Sequence, residues 1–146
     1  MATSTMRGFS KRIKVIAKEV SVNSTSVMRK TVITVASAVA LRTPVDEGTA
    51  RANWQIKIGF ALGGMVNSFP KGKKGTTGLA VVAQVTNQAV SEMKKLKDTD
   101  TEVFISNNLP YIGVLNKGSS IQAPAGFVQS AIEAGLSAIR KSRLVK

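Results

Sequence analysis

The sequence predicts an α+β domain with a long N-terminal helix, a small antiparallel sheet, flanking helices and a C-terminal helix. Three observations lead there. Apolar residues recur at helical spacing in separate stretches, among them Met28, Val32, Val35 and Val39 early in the chain and Val128, Ile132, Leu136 and Ile139 near its end. Between these stretches Trp54, Ile56, Ile58 and Phe60 alternate with Gln55, Lys57 and Gly59, the period of a strand that covers a core on one face. A length of 146 residues suits a single domain, 1–146, because a chain of this size buries about two-thirds of its unfolded surface.

From the N-terminus, Phe9, Ile13, Ile16 and Val20 mark one face of an amphipathic helix, with Lys11, Arg12, Lys14 and Lys18 elsewhere on it. The stripe lapses through Asn23-Ser24-Thr25-Ser26, residue types that favour caps and turns, and resumes at Met28. Either one long helix loosens there or two helices abut. Pro44 ends the helix, since the residue before a proline is pushed out of the helical region. Thr43-Pro44-Val45-Asp46-Glu47-Gly48 reads as a turn leading directly into the Trp54–Phe60 strand.

Residues 62–78 follow as a flexible basic loop, rich in glycine and containing Lys71, Lys73 and Lys74. It is no phosphate-binding loop, because no Gly-Lys-Ser/Thr closes the required spacing. Val82, Thr86, Ala89, Met93 and Leu96 predict a helix over Leu79–Leu96. Lys94, Lys95 and Lys97 suit the negative end of its dipole, and Asp98-Thr99-Asp100 forms the exit turn. Thr101–Ser106 reads as a short strand, broken by Asn107-Asn108-Leu109-Pro110, and only a short turn is expected before the last helix. Pro124 opens that helix, and Gly135 inside it costs about 1 kcal/mol relative to alanine unless it permits close packing. Residues 1–8 and 141–146 are expected to fray.

Composition narrows the chemistry. There is no Cys and no His, which removes the usual ligands of zinc, iron–sulfur clusters and haem, the commonest general base and the thiolate nucleophile. The eight acids are spread over the chain and give no close cluster of hard oxygen ligands beyond Asp98 and Asp100, so no cofactor or metal is expected and the chain does not read as an enzyme. The longest apolar run, Thr31–Leu41, is far below the roughly 20 residues of a membrane-spanning helix, so no membrane partner is expected.

The formal charge of +13 is localised: residues 1–30 carry +6, residues 62–78 carry +3 and residues 124–146 carry +3. A localised basic patch implies an acidic partner. Nucleic acid is one, through counterion release at phosphates; an acidic protein surface is the other. Lysines outnumber arginines fourteen to seven and no aromatic is interleaved with the basic runs, which fits diffuse attraction better than base reading. A free basic nucleic-acid-binding protein is therefore one reading of the chain.

Three segments carry a more specific signal: Thr43-Pro44-Val45-Asp46-Glu47-Gly48-Thr49-Ala50-Arg51-Ala52-Asn53-Trp54, Ile105-Ser106-Asn107-Asn108-Leu109-Pro110-Tyr111, and Leu115-Asn116-Lys117-Gly118-Ser119-Ser120-Ile121-Gln122-Ala123-Pro124-Ala125-Gly126. In this order they resemble the tail-completion or neck proteins of tailed bacteriophages. Glu47 stands where that family often has Thr or Ser, and Asn116-Lys117 replaces its usual acidic residue before Gly118. The resemblance implies a non-catalytic virion protein at the head–tail junction, present in the host cytoplasm before assembly. It implies a ring of six or twelve copies, meeting portal- or adaptor-side proteins on one side and tail proteins on the other. It singles out Pro44, Asp46, Gly48, Arg51, Trp54, Asn107, Asn108, Pro110, Tyr111, Gly118, Gln122, Pro124 and Gly126 as structural or interface residues. On residue chemistry alone, Arg51 can bridge to carbonyls or an acid and Trp54 can anchor the strand. The two asparagines can satisfy backbone at the strand end, and Tyr111 can pack its ring and leave its hydroxyl for a partner. The basic stretches, with Lys11, Arg12, Lys14, Lys18, Lys71, Lys73, Lys74, Arg140, Lys141 and Arg143, are expected to line a DNA passage or meet acidic neighbours.

Overall fold

The computed structural model describes residues 24–43, 49–69, 78–118 and 125–140, and the fold is α+β. Helix α1 covers residues 24–42, so Ser24-Thr25-Ser26 are helical; Asn23 and the Phe9–Val20 stripe, and with them the choice between one helix and two, lie outside the described residues. Hydroxyls inside α1 are satisfied locally, Thr31 Oγ1 donating to Val27 O (2.8 Å) and Thr34 Oγ1 to Lys30 O (2.7 Å). Val32, Ala36, Val39 and Ala40 enter the core from one face, at the expected helical spacing. Of the turn expected at 43–48 only Thr43 is described, and residues 44–48 lie outside the described residues. After it the chain forms a four-residue helix, α2 (Thr49–Ala52), where a direct passage into the strand was expected. A helix this short has too few residues to write a 3.6-residue period.

Strand β1 (Trp54–Ile58) pairs antiparallel with β2 (Val103–Asn107), Trp54 opposite Asn107, Ile56 opposite Ile105 and Ile58 opposite Val103. One face of the sheet is therefore Trp54, Ile56, Ile58, Val103 and Ile105, all packed in or against the core. The expected continuation to Phe60 does not form. Gly59 N–H still donates to Glu102 O (3.0 Å), but its φ of +87° turns the chain away. Phe60 is left 56% exposed, with the Lys57 ammonium 5.5 Å from its ring centre.

Helix α3 (Gly78–Met93) buries Val81, Val85, Ala89 and Met93, with Leu96 just beyond its end. Its face is turned by one residue at the N-terminal half from the expected Val82 and Thr86. Thr86 instead uses its hydroxyl on Ser37 of α1, oxygen to oxygen 2.9 Å, and Val82 is only partly buried. The expected short turn after β2 contains a further helix, α4 (Ile112–Asn116), which lays Ile112 and Leu115 against the core.

Helix α5 (Phe127–Arg140) departs most from its sequence pattern. Phe127, Ala131 and Gly135 are buried, whereas Ile132 is 46% and Leu136 38% exposed. The expected Val128–Ile132–Leu136 stripe is thus the flank of the buried face and not its centre. The cause is Gly135: a Cβ added there would overlap Val35 Cγ2 and touch Thr31 Cγ2, so α5 approaches α1 along its small-residue side. The core so formed joins α1, the sheet, α3 and α5, and each large side chain fully buried in it, such as Phe127, Ile56 or Met93, contributes roughly 1.5–3 kcal/mol.

Candidate functional site

The three segments singled out in the sequence sit at the joints between elements. The last carbonyls of a helix have no partner within it. For α1, Arg51 supplies one: its Nη2 donates to Leu41 O (3.0 Å) and Thr43 O (2.8 Å), and its Nε to Thr43 O (3.2 Å). Burial pulls the Arg51 guanidinium below its ordinary pKa, yet an arginine stays charged there. Thr43 is fully buried; its hydroxyl donates to Val39 O (2.6 Å) and accepts the Trp54 indole N–H (2.8 Å). Trp54 therefore anchors β1 to the end of α1 by area and by a hydrogen bond together.

Side-chain amides make the remaining joints. Asn107 Nδ2 donates to Ala50 O (2.9 Å) while its Oδ1 accepts the Leu109 N–H (3.1 Å), fixing the exit from β2 against α2. Asn116 Oδ1 accepts the Val128 N–H (3.0 Å), one of the orphan donors of the first turn of α5, and Asn116 O accepts from Gly126 N (2.7 Å). Gly118 and Gly126 hold φ of +94° and +79°, which explains glycine at both positions. Pro110 and Tyr111 lead into α4, and Tyr111 is 44% exposed. Pro44, Asp46, Gly48, Gln122 and Pro124 lie outside the described residues.

A set of amides, of which the sequence singles out Asn108 alone, holds the loop after β1. Buried Asn53 donates to Thr49 O (2.8 Å) and Val66 O (3.2 Å) and accepts from Val66 N (2.7 Å). Asn108 Nδ2 reaches Leu62 O (2.7 Å) and Gly64 O (2.9 Å), Gln55 Nε2 reaches Gly64 O (3.1 Å), and Gln84 Nε2 reaches Ser68 O (3.1 Å). Residues 62–69, the first part of the loop expected to be flexible, are thus irregular but tethered at several carbonyls. Lys71, Lys73 and Lys74 lie outside the described residues.

Among the described residues two surfaces are left uncovered. One is an apolar cleft of about 200 Å³ between α1, the sheet and α5, lined by Val35, Val39, Trp54, Val103, Ile105, Val128 and Ile132. It is smaller than the 300–1,000 Å³ typical of ligand pockets, and its lining side chains are apolar, so it suits apolar side chains of another protein surface. The exposed Ile132 and Leu136 extend this apolar surface along α5. The other surface is basic. Arg29 of α1 donates through Nε to Met93 O (2.9 Å) and through Nη2 to Leu96 O (2.8 Å), capping the end of α3 from 64 and 67 residues away, beside Lys94, Lys95 and Lys97. Of the cations expected to meet DNA or acidic neighbours only Arg140 falls within the described residues, exposed at the end of α5; Lys11, Arg12, Lys14, Lys18, Lys71, Lys73, Lys74, Lys141 and Arg143 do not.

Between β1 and α3 lies Glu92, 8% exposed, with Oε1 3.4 Å from Lys57 Nζ and Oε2 3.4 Å from Lys95 Nζ. Burial pushes its pKa up, but the Ile58 N–H, the Lys95 hydrogen bond and the charges of Lys57 and Lys95 outweigh that and hold it below the ordinary carboxylate value. Among the described residues there is no cluster of three or more acids that could hold a metal, and no helix is long and apolar enough to cross a membrane. No protein family, curated protein or solved structure matches the chain.

Proposed function

We propose that this chain is a virion structural protein of the phage neck or tail-completion type, which works by self-association into a ring and by docking capsid-connector and tail proteins on either side, without turnover. The observation that carries the reading is the apolar cleft beside the exposed flank of α5. A subunit with two paired strands and apolar side chains left open beside its core has the surface of a part that is covered in an assembly. The joints made by Arg51, Trp54, Asn107 and Asn116 support the resemblance of the three segments, because each residue has a task that its type explains. The arginines and lysines bound within the fold, Arg29, Arg51, Lys57 and Lys95, weigh against reading the whole charge as a nucleic-acid footprint.

Immunogold labelling of purified particles tests the role. Label at the head–tail junction is the expected result, and particles free of the polypeptide would end the proposal. In solution, Ile132→Glu with Leu136→Glu places two charges on the exposed flank. It should leave the thermal melt within a few degrees and abolish association seen by light scattering. Association undiminished by the pair would remove the cleft from the interface. Tight binding of duplex DNA by the monomer at physiological salt would favour the free nucleic-acid-binding protein instead.

A further inference from the structure

We infer that the corner where the start of α1 meets the end of α3 is a contact surface for the phosphate backbone of duplex DNA, carried by Lys30, Lys94 and Lys97. Arg29 makes this corner. By bonding Met93 O and Leu96 O it ties α1 at residue 29 to the end of α3 and covers the carbonyls whose partial negative charge would repel an anion. The lysines around it are therefore surplus to capping.

The nearby acids do not cancel them. Glu92 is taken by Lys57 and Lys95, Asp100 Oδ2 accepts the backbone N–H of Lys97 (2.8 Å), and with exposed Asp98 counted as well the corner still sets five cations, Arg29, Lys30, Lys94, Lys95 and Lys97, against three acids. Lys30, Lys94 and Lys97 are exposed and make no ion pair among the described residues.

A repeating polyanion fits this corner better than an acidic protein does. Protein interfaces are built around apolar or aromatic anchors and are depleted in lysine. None of the exposed large apolar side chains among the described residues belongs to residues 24–33 or 92–100. Lysine ammoniums alone supply point charges, which match phosphates without reading sequence. Three such contacts give a slope of log K against log salt of about −2.7, hence binding weakened about 40-fold between 50 and 200 mM salt.

The test is a fluorescence-anisotropy titration of a labelled 20-bp duplex with the full chain at several salt concentrations between about 50 and 200 mM. The variant Lys30→Gln/Lys94→Gln/Lys97→Gln should keep its thermal melt and lower the magnitude of the salt slope by about 2–3. Lys117→Gln, an exposed lysine elsewhere, should leave the slope nearly unchanged. Three results would overturn the proposal. The first is no duplex binding by the wild-type chain at 50 mM salt. The second is a triple variant with the wild-type slope, or a Lys117→Gln loss equal per charge to the triple variant's, since binding would then be diffuse. The third is a triple variant that binds duplex normally but loses polyglutamate, which would assign the corner to an acidic protein.

Discussion

At Gly135 a single absent methyl group sets how closely two helices lie. The neighbour it would strike, Val35 Cγ2, belongs to a β-branched side chain that is stiff in a helix and cannot swing aside. Gly135→Ala should destabilise the chain by about 1–3 kcal/mol in urea titration, despite the better helix propensity of alanine. Combining it with Val35→Ala should recover most of that loss, giving a coupling well outside additivity. Strictly additive losses would mean the helices do not touch there.

Glu92 gives the acid limb of stability a residue-level origin. Its folded pKa lies below the ordinary carboxylate value, so between the two the unfolded chain holds more protons and stability rises with pH. The contribution is complete above the unfolded carboxylate pKa and disappears as pH falls through the folded one. Urea midpoints between pH 7 and 3 should show a shallower acid decline for Glu92→Gln than for the wild type. Parallel declines would assign the limb to other carboxylates.

Among the elements, the loop from Ala61 to Phe69 and helix α5 share one lesson: regularity and order are separate properties. The loop has no repeating backbone pattern, yet Asn53, Gln55, Gln84 and Asn108 hold its carbonyls. Asn108→Ala deletes two of those bonds, at Leu62 O and Gly64 O, and should cost about 1–2 kcal/mol. Limited proteolysis should then cut within residues 61–69 several-fold faster while the helices stay resistant. Equal cleavage rates would show that the loop is held by something else. Helix α5 is regular throughout, but its apolar arc is wider than the face it buries, and this excess supports a partner for Ile132 and Leu136.

For the molecule as a whole, charge and apolar surface set opposite salt dependences. Copies carrying +13 repel one another, and screening shortens that repulsion to about 8 Å at physiological ionic strength. Self-association through the α5 flank should therefore tighten as salt rises from about 0.05 to 0.5 M, while DNA binding at the α1/α3 corner weakens over the same range. Sedimentation and anisotropy run on the same samples would check this; association that falls with salt would mean that ion pairs join the copies.

Much of the fold can be read from spacing alone. The α1 stripe, the Trp54–Ile58 alternation, the span of α3 and the last helix are local patterns of three to five positions, and each element formed where its pattern lies. Arg51, Trp54 and Asn107 were identifiable because turn and strand-end chemistry restricts the residue types that fit. By contrast, α2 and α4 are too short to show a period, and Phe60 continued an alternation that Gly59 interrupts. Arg29 on Met93 and Leu96, Asn108 on Leu62, and the rotation of α5 onto Gly135 join residues 46 to 104 positions apart. Local periodicity comes from backbone geometry and so is written in neighbouring residues. Which side of a helix is covered, and which lysines share a corner, depends on how whole elements close against one another.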